Sequence, residues 1–338
     1  PELLSACAFS GAMLYYLDNW LNERSAPQNN YARELLELHT LSVHGGYSNA
    51  DVDEVARCFT GWTLNGDPDS PDHLRGTFDP DLHARGLKFV LGHVIGGTPA
   101  VGRPGQPVAR NEAKEVLDIL VRHPSTAAFL AHKLVRHFLT PTPPPELVQQ
   151  VAETYRATGG DIRAMLRVIL TRRNLAAHSA VLAPRYRRPF HHAVSLFRAM
   201  DAQHRASSNA TLNHLVAMGH SPYDHVAPDG YPDGLEAWGG SLLPRWIFAT
   251  TYLRHDFIFA GVRSITPAAL SARLGFAGPA DVPGLARRMN ERFFGQGLSP
   301  ADEAILQAYM DAYPVPFDVT ALYDCLALGA ELPSYQWY

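Results

Sequence analysis

Residues 48–61 read SNADVDEVARCFTG and carry the marks of one amphipathic helix, which indicates the fold class. Ser48 and Asp51 have the spacing of a capping box, in which each side chain bonds the other residue's backbone N–H. Apolar residues then recur at helical spacing: Val52, Val55, Ala56 and Phe59. Because Gly61 ends the run, we predict a helix between Ser48 and Gly61 with one buried face.

The same signals predict further helices downstream. Asn111 is predicted to cap one helix, Pro124 to open the next, and Asp161 to cap a later one. The helix after Pro124 is expected to bury a stripe formed by Phe129, Leu130, Leu134 and Phe138. A proline cluster should break that helix and open another: Pro141, Pro143, Pro144 and Pro145.

Strand signals are rare, and only residues 88–95 suggest a short strand. Long Gly/Pro-rich stretches lie at 65–107 and 219–240, and loops of such length are usually functional or disordered. We therefore predict a mainly α, multi-helix globular fold with long Gly/Pro-rich loops and at most a small strand element. One large helical domain is expected over residues 1–338, with a softer boundary near 175–185.

The composition excludes several classes of partner. The 338 residues are 46% hydrophobic and 18% charged, with a formal net charge of -4. Such a chain buries a large core and has no basic stripe for nucleic acid or anionic lipid. No apolar run approaches the roughly 20 residues of a membrane span. Three cysteines show neither metal-ligand nor disulfide spacing, and Cys58 is predicted to be a buried hydrophobic residue.

The stretch NNYARELLELHT, residues 29–40, places polar side chains among leucines on a predicted helix. Arg33 and Glu37 stand four apart and face each other, so they are predicted to form a buried pair that orders the core. The alternative is that Glu34, Glu37 and His39 line a cleft as metal ligands or acid–base groups. The candidate catalytic residues are Arg33, Glu34, Glu37, His39 and Lys88.

The two long loops supply further candidates, and we expect residues 65–102 and 219–240 to converge on the Arg33–His39 helix. The candidate binding residues are Trp62, His83, Tyr231, Trp238 and Arg245. Tyr231, Trp238 and Trp246 offer stacking faces to a ring-shaped ligand. His220 and His225, near Asp224, are candidate ligands of zinc or copper, with loop packing as the alternative.

Other motifs favour structural roles. Asp233 and Glu236 have capping-box spacing, so both are predicted to mark the start of a helix. The glycine-rich stretch GGTPAVGRPGQP, residues 96–107, does not open a helix after a clear strand and is predicted to be a surface loop. The chain has no Gly-x-Ser-x-Gly elbow, no phosphate-binding Gly-Lys-Ser/Thr loop and no His-Glu-x-x-His pair.

Four separated motifs together resemble the large bacterial family catalogued as domain of unknown function 1800. They are NNYARELLELHT, GGYSNADVDEVARCFTGWT, HPSTAAFLAHKL and APDGYPDGLEAWGGSLLPRW. The resemblance runs along nearly the whole chain, which would represent about the C-terminal two-thirds of a typical member. It implies an exported bacterial protein, periplasmic or extracellular, whose relatives carry a further N-terminal region and an export signal. It implies no established reaction.

The chain departs from the family pattern at several polar positions. The resemblance implies Asn-Glu-Asn where this chain has Gln28, Asn29 and Asn30, and Gly-Gln where it has Gly219 and His220. It also implies acidic residues at the positions of His44, Ala84 and His191. If relatives hold a cation through those carboxylates, this chain should bind it more weakly, because His, Asn and Ala supply no charged oxygen ligand.

Two functions follow as hypotheses. The first is a non-catalytic or degenerate subunit that binds another protein or a cell-surface polymer. The alternative is a metal-dependent hydrolase or oxidoreductase centred on residues 33–39 and 83–88, for which a divalent metal is the candidate cofactor. The sequence leaves the oligomeric state open.

Overall fold

The computed structural model describes residues 1–96, 110–179, 185–204, 209–254, 258–259, 262–263, 265–314 and 316–337. These residues are mainly helical, which confirms the predicted fold class. Internal packing divides the chain into two compact units, Pro1–Ala183 and Pro184–Tyr338. A single domain over 1–338 stays a prediction.

Unit 1 contains nine of the helices in the described part of the chain, α1 to α9: Glu2–Ala8, Gly11–Tyr16, Asn30–Glu34, Asn49–Phe59, Arg110–Arg122, Pro124–Phe138, Pro145–Thr158, Ile162–Ile169 and Arg172–Ser179. A short 3₁₀-helix spans Asn19–Leu21, and a π-helix spans Leu35–Thr40. Two antiparallel hairpins complete the unit, β1–β2 and β3–β4: Trp62–Leu64, Gly76–Phe78, Lys88–Val90 and His93–Ile95.

The helix starts of unit 1 follow their predicted signals except at one position. Ser48 accepts from the Asp51 backbone N–H while Asp51 accepts from that of Ser48, so the capping box of α4 is confirmed. Asp161 caps α8 and Pro124 is the first residue of α6, both as predicted. The predicted cap at Asn111 is wrong, because α5 has already begun at Arg110.

The predicted strand at 88–95 is a hairpin. Lys88 pairs with Ile95 and Val90 with His93. Leu91 and Gly92 both have positive φ, 49° and 79°, which is the backbone that a two-residue type I′ turn requires. Two short strands therefore replace one. The glycine-rich stretch 96–107 lies, apart from Gly96, outside the described residues.

The buried face of α6 differs from the predicted stripe. Ala127, Ala131 and Val135 are fully buried, whereas Phe138 is exposed and Phe129 is half-buried. The alanines let α7 and α8 pack closely in the core cluster of this part of the chain. Leu130 and Leu134 of the predicted stripe do pack against this cluster, so the prediction is wrong only for the two phenylalanines. Small residues fill the centre of the face because a close helix contact needs them.

The rest of unit 1 has a larger core that joins its first helices to α4, the hairpins and α5. Tyr31 and Phe59 pack within it with tilted rings, 5.1 Å between centroids. Cys58 is fully buried, as predicted. Burial, together with a smaller effect from Glu112, raises the pKa of its thiol to about 12.

Unit 2 contains helices α10 to α17 in its described residues: Pro189–Ala199, Ala210–Ala217, Leu235–Trp238, Leu242–Arg254, Pro267–Leu274, Leu285–Phe293, Pro300–Asp311 and Val319–Glu331. Three two-residue strands, β5 (Gln203–His204), β6 (Ile258–Phe259) and β7 (Val262–Arg263), form a sheet with β7 in the centre. One core cluster, built largely by α10, α13, α15 and α17, fills the unit. In the described residues, no helix has the length and apolar character to cross a bilayer.

Candidate functional site

The polar stretch 29–40 is not one regular helix. Helix α3 passes at Leu35 into the π-helix, where the Leu41 N–H donates to the Leu36 carbonyl five residues earlier, at 2.7 Å. The Thr40 hydroxyl donates to the Leu35 carbonyl, also at 2.7 Å. π-Helical turns are rare and frequently occur at functional sites, so this segment remains a site candidate.

The prediction that Arg33 and Glu37 form a buried pair is wrong. Both side chains are half-buried, and no ion pair joins them in the described part of the chain. Arg33 donates to Asn49 at 3.4 Å, and Glu37 accepts from the Tyr47 hydroxyl at 3.4 Å. The start of α4 and the turn before it supply partners that helical spacing alone does not reveal.

His39 lies where the π-helix borders an apolar cleft of about 360 Å³ in unit 1. The cleft is also lined by Leu4, Thr40, Leu130 and Tyr155. Burial lowers the pKa of His39, and the charge of Lys133 lowers it further. His39 is therefore neutral at pH 7. Glu34 is half-buried beside this segment in sequence.

Lys88 and His83 meet at a buried cluster that also contains Glu112. Lys88 is 0% exposed, and its Nζ donates to Glu112 Oε2 at 2.5 Å and to the Ala84 carbonyl at 2.5 Å. His83 Nε2 lies 3.0 Å from the same Glu112 oxygen, and Nδ1 donates to the Thr60 carbonyl at 2.7 Å. Three chain segments are thus tied together by charged groups.

Two opposing effects act on the pKa of Glu112. Burial raises the pKa of Glu112, but hydrogen bonds from His83 and Lys88 outweigh burial and lower the pKa overall. Gly96 closes the cluster with φ of 79°, and a Cβ there would lie 2.8 Å from Glu112 Oε1. Only glycine fits this approach. Glu112 was missed by sequence reasoning, although an acid in the first turn of a helix was a usable signal.

The cluster does not include the polar groups of residues 33–39. The hydrogen bonds of His83 and Lys88 go to Thr60, Ala84 and Glu112. The expected convergence is therefore not seen for those two side chains. Residues 219–240 belong to unit 2, and their convergence on the helix stays a prediction.

Trp62 is a core residue at the start of β1. It is 6% exposed and packs on Phe9 and Phe78, with ring centroids 4.2 and 5.6 Å away. Its indole face is covered by protein, which leaves it no free stacking surface.

In unit 2, His220, His225, Tyr231 and Trp238 form an aromatic cluster. The His220 ring lies 4.3 Å from Tyr231 and 5.3 Å from Trp238, and His225 lies 4.4 Å from Tyr231. Burial lowers the pKa of His220 to about 4, with smaller effects from Arg188, His191 and His225. His220 is therefore a neutral ring in an aromatic stack.

Nothing in this cluster resembles a complete metal site. In the described residues, no three His, Cys, Asp or Glu side chains lie close enough to hold one ion. His225 Nε2 lies 3.7 Å from Oδ1 of Asp229, whose side chain is exposed. The predicted capping role of Asp233 is wrong, because Gly234 precedes α12 as its cap and Asp233 pairs with Arg188 instead.

Arg245 belongs to a different cluster in unit 2, where cations are buried without carboxylates. Arg245 is 0% exposed and its guanidinium lies 4.6 Å from the Tyr186 ring. Arg187 is 8% exposed and lies 4.1 Å from the Tyr335 ring. Among described residues, Arg187 Nε and Nη1 and Arg245 Nη2 are buried without a hydrogen-bond partner.

These contacts compensate the two charges only in part. A desolvated cation–π contact stabilises by about 2 kcal/mol, whereas burying an ion costs several kcal/mol even after relaxation. Arg245 gains hydrogen bonds to Ser241 at 3.1 Å and Gln336 at 3.3 Å, both to neutral oxygens. The cluster was not foreseen, because Arg187 and Arg245 are far apart in sequence.

Unit 1 also carries an exposed aromatic patch that sequence reasoning missed, formed by Tyr15, Tyr16, Trp20 and Leu21. Tyr15 is 63% exposed and Trp20 37%, and their rings stack at 5.9 Å. Asp18, with φ of 62°, reverses the chain between them. Exposed large apolar residues grouped in this way are uncommon and mark interaction surfaces.

Asn19 holds the backbone of the aromatic patch against the core of unit 1. Its side chain is buried and donates to the Phe59 carbonyl at 3.3 Å and to the Trp62 carbonyl at 2.9 Å. A second amide, Asn22, donates to Asn19 at 3.1 Å. These hydrogen bonds therefore fix to the core the backbone segment that carries the exposed rings.

Comparison with known proteins identifies one family. A family model described as "Protein of unknown function (DUF1800)" matches residues 1–337. The match extends over essentially the whole chain, which confirms the resemblance, while the expectation of a C-terminal two-thirds is slightly off. No curated protein and no solved structure matches the chain.

Proposed function

We propose, from the premise that the chain belongs to the family of proteins of unknown function DUF1800, that it is an exported bacterial binding subunit. Its partner is another protein, which docks on the aromatic patch of Tyr15, Tyr16, Trp20 and Leu21. The observation that carries this proposal is the exposure of those four side chains above the buried Asn19 amide.

The chemistry of the patch suits a protein partner. Tyrosine and tryptophan dominate the binding energy of protein interfaces, because they bury a large area with few rotatable bonds. The fixed backbone at Asn19 reduces the conformational entropy that binding would otherwise cost. A patch that combines aromatic rings with Leu21 therefore matches the apolar centre of an interface.

The enzyme hypothesis receives less support from the described geometry. Lys88, the candidate with the most reactive side chain, is enclosed and bonded to Glu112. Arg33 and Glu37 bond to Asn49 and Tyr47. A general acid or base has to reach the proton that it transfers, and neither arrangement presents such a group to a shared cleft.

Photo-crosslinking tests the proposal in the full-length protein in its native cells. A photoreactive amino acid replaces Tyr16, and the crosslinked species is identified and purified. Its affinity is then measured for the wild type, for Tyr15→Ala with Trp20→Ala, and for a matched control, Phe89→Ala, another exposed aromatic residue of unit 1. We expect the double substitution to weaken binding at least about tenfold, since each anchor contributes about 2 kcal/mol, and the control to bind normally.

Several outcomes would overturn the proposal. One is the absence of a saturable protein partner, and another is equal affinity for the double variant and the wild type. Crosslinks to a polysaccharide would show that the patch binds a cell-surface polymer and not a protein. A stoichiometric metal or haem in the purified protein would support the metal-dependent hydrolase or oxidoreductase. Fractionation of the source cells tests export, and recovery in the cytoplasm would contradict it.

A further inference from the structure

The buried cations of unit 2 have no carboxylate partner in the described residues. Arg187 and Arg245 are both more than nine-tenths buried, and neither forms an ion pair there. His192, on α10, is fully buried, and its ring lies 5.6 Å from that of Tyr335 near the end of the chain. Both of its ring nitrogens lack a hydrogen-bond partner among described residues.

The charge of this cluster comes from the two arginines. Burial, together with smaller effects from Arg245 and Arg187, lowers the pKa of His192 to about 3, so the imidazole is neutral at pH 7. Arginine does not escape burial by losing its proton in the physiological range. Among the described residues, two positive charges are therefore left without a carboxylate, and an anion is a group that would satisfy them.

A cleft of about 370 Å³ opens beside Arg187 within unit 2. Two further arginines line it, Arg198 and Arg292, and both are exposed. Glu291 is the single acid among the lining residues, and it lies 3.9 Å from Arg287. Three arginines and one acid among its lining residues therefore make the cleft cationic.

We propose that this cleft binds a phosphate group, inorganic or in a monoester, through the three arginines that line it, Arg187, Arg198 and Arg292. A phosphate dianion suits a cleft lined by three arginines and one acid better than a monocarboxylate does, because it carries more negative charge. Its several oxygens also match the forked N–H groups of arginine, which bind phosphate in bidentate geometry.

Calorimetric titration at constant ionic strength tests this site, with inorganic phosphate, ribose 5-phosphate and acetate as separate probes. We expect one saturable phosphate site per chain, and acetate binding weaker by about tenfold or more, because it carries half the charge. Comparison of the first two probes tells whether the site takes free phosphate or prefers a monoester.

Three variants locate the site. Arg187→Gln should weaken phosphate binding by at least about tenfold, and Arg198→Gln with Arg292→Gln should weaken it several-fold. The matched control, Arg254→Gln, removes one exposed positive charge of unit 2 that pairs with Asp324 and does not line the cleft. Circular dichroism confirms folding, and if Arg187→Gln does not fold, the exposed pair tests the site by itself.

The proposal is overturned if phosphate shows no saturable binding up to about 10 mM, an affinity limit below that of ordinary ligand sites. It is also overturned if acetate binds as tightly as phosphate. Equal weakening by Arg254→Gln and by the exposed pair would show unspecific attraction to net charge, and would equally refute a built site.

Discussion

Glu112 and Glu37 show how two residues of one type acquire different roles. Glu112 is 9% exposed and bonds to Lys88 and His83, so its charge is compensated inside the protein. Glu37 is half-buried and has the Tyr47 hydroxyl as its partner. Because water still screens Glu37, its contribution to stability is expected to be much smaller than that of Glu112.

Substitution of the two glutamates should separate these roles. Glu112→Gln should lower the free energy of unfolding by about 3 to 5 kcal/mol, because Lys88 would keep a buried charge without its partner. Glu37→Gln should cost less than about 1 kcal/mol. Urea unfolding followed by circular dichroism measures both. Equal losses for the two variants would contradict the difference in burial and charge pairing between Glu112 and Glu37.

The pKa of Glu112 predicts how this stabilisation depends on pH. Its folded-state pKa lies below the model-peptide value of 4.5, so the unfolded chain binds a proton first as the pH falls. The contribution is fully present above about pH 4.5 and is lost as the pH falls through the folded-state pKa. The stability difference between wild type and Glu112→Gln should therefore shrink below that pH. A constant difference down to the acid transition would exclude the carboxylate as its cause.

At the scale of the element, α6 shows that burial follows the partner helix rather than side-chain size. Its alanines form the contact face, and Phe138 at its end is 45% exposed. Phe129 instead holds the Lys133 ammonium 4.8 Å from its ring. An aromatic residue on a helix is therefore not sufficient evidence of a core position.

Substitutions on the two faces of α6 test this assignment. Ala131→Leu should lower the free energy of unfolding by about 1 to 3 kcal/mol, because extra carbons enter a packed helix contact. Phe138→Ala should change it by no more than about 0.5 kcal/mol. Thermal and urea unfolding of both variants give the answer. A larger loss of stability for Phe138→Ala than for Ala131→Leu would instead support the stripe predicted from the sequence.

In the whole molecule, as far as its residues are described, each hydrophobic core cluster lies within one of the two units. Two core clusters lie within residues 1–183, and a third lies within residues 184–338. A core that closes within one unit is the physical condition for independent folding. The first and last segments of unit 2 are also joined, because Tyr186 and Trp337 form an antiparallel β-bridge.

Residues 184–338 produced alone should therefore fold. We expect a helical circular dichroism spectrum and one cooperative urea transition, because the core cluster of this unit needs no residue of unit 1. Solution NMR of the fragment provides an independent check through its amide dispersion. A fragment without cooperative unfolding would support the single domain expected from sequence.

The sequence by itself determined the helical class, the capping box at Ser48, the starts of α6 and α8 and the burial of Cys58. These features depend on neighbours within about one helical turn, so local spacing contains the information. It also determined family membership, because ordered motifs survive without any knowledge of contacts. The site candidates that sequence selected one by one were drawn from residue type alone.

Only the tertiary structure decided which of those residues meet. Lys88 and Glu112 are 24 positions apart and Arg245 and Gln336 are 91 apart, and no periodicity relates such pairs. It also decided that Arg33 bonds to Asn49, and that small residues rather than aromatic ones face the core on α6. The physical reason is that burial and charge pairing are properties of the space between elements, and that space exists only after the chain has folded.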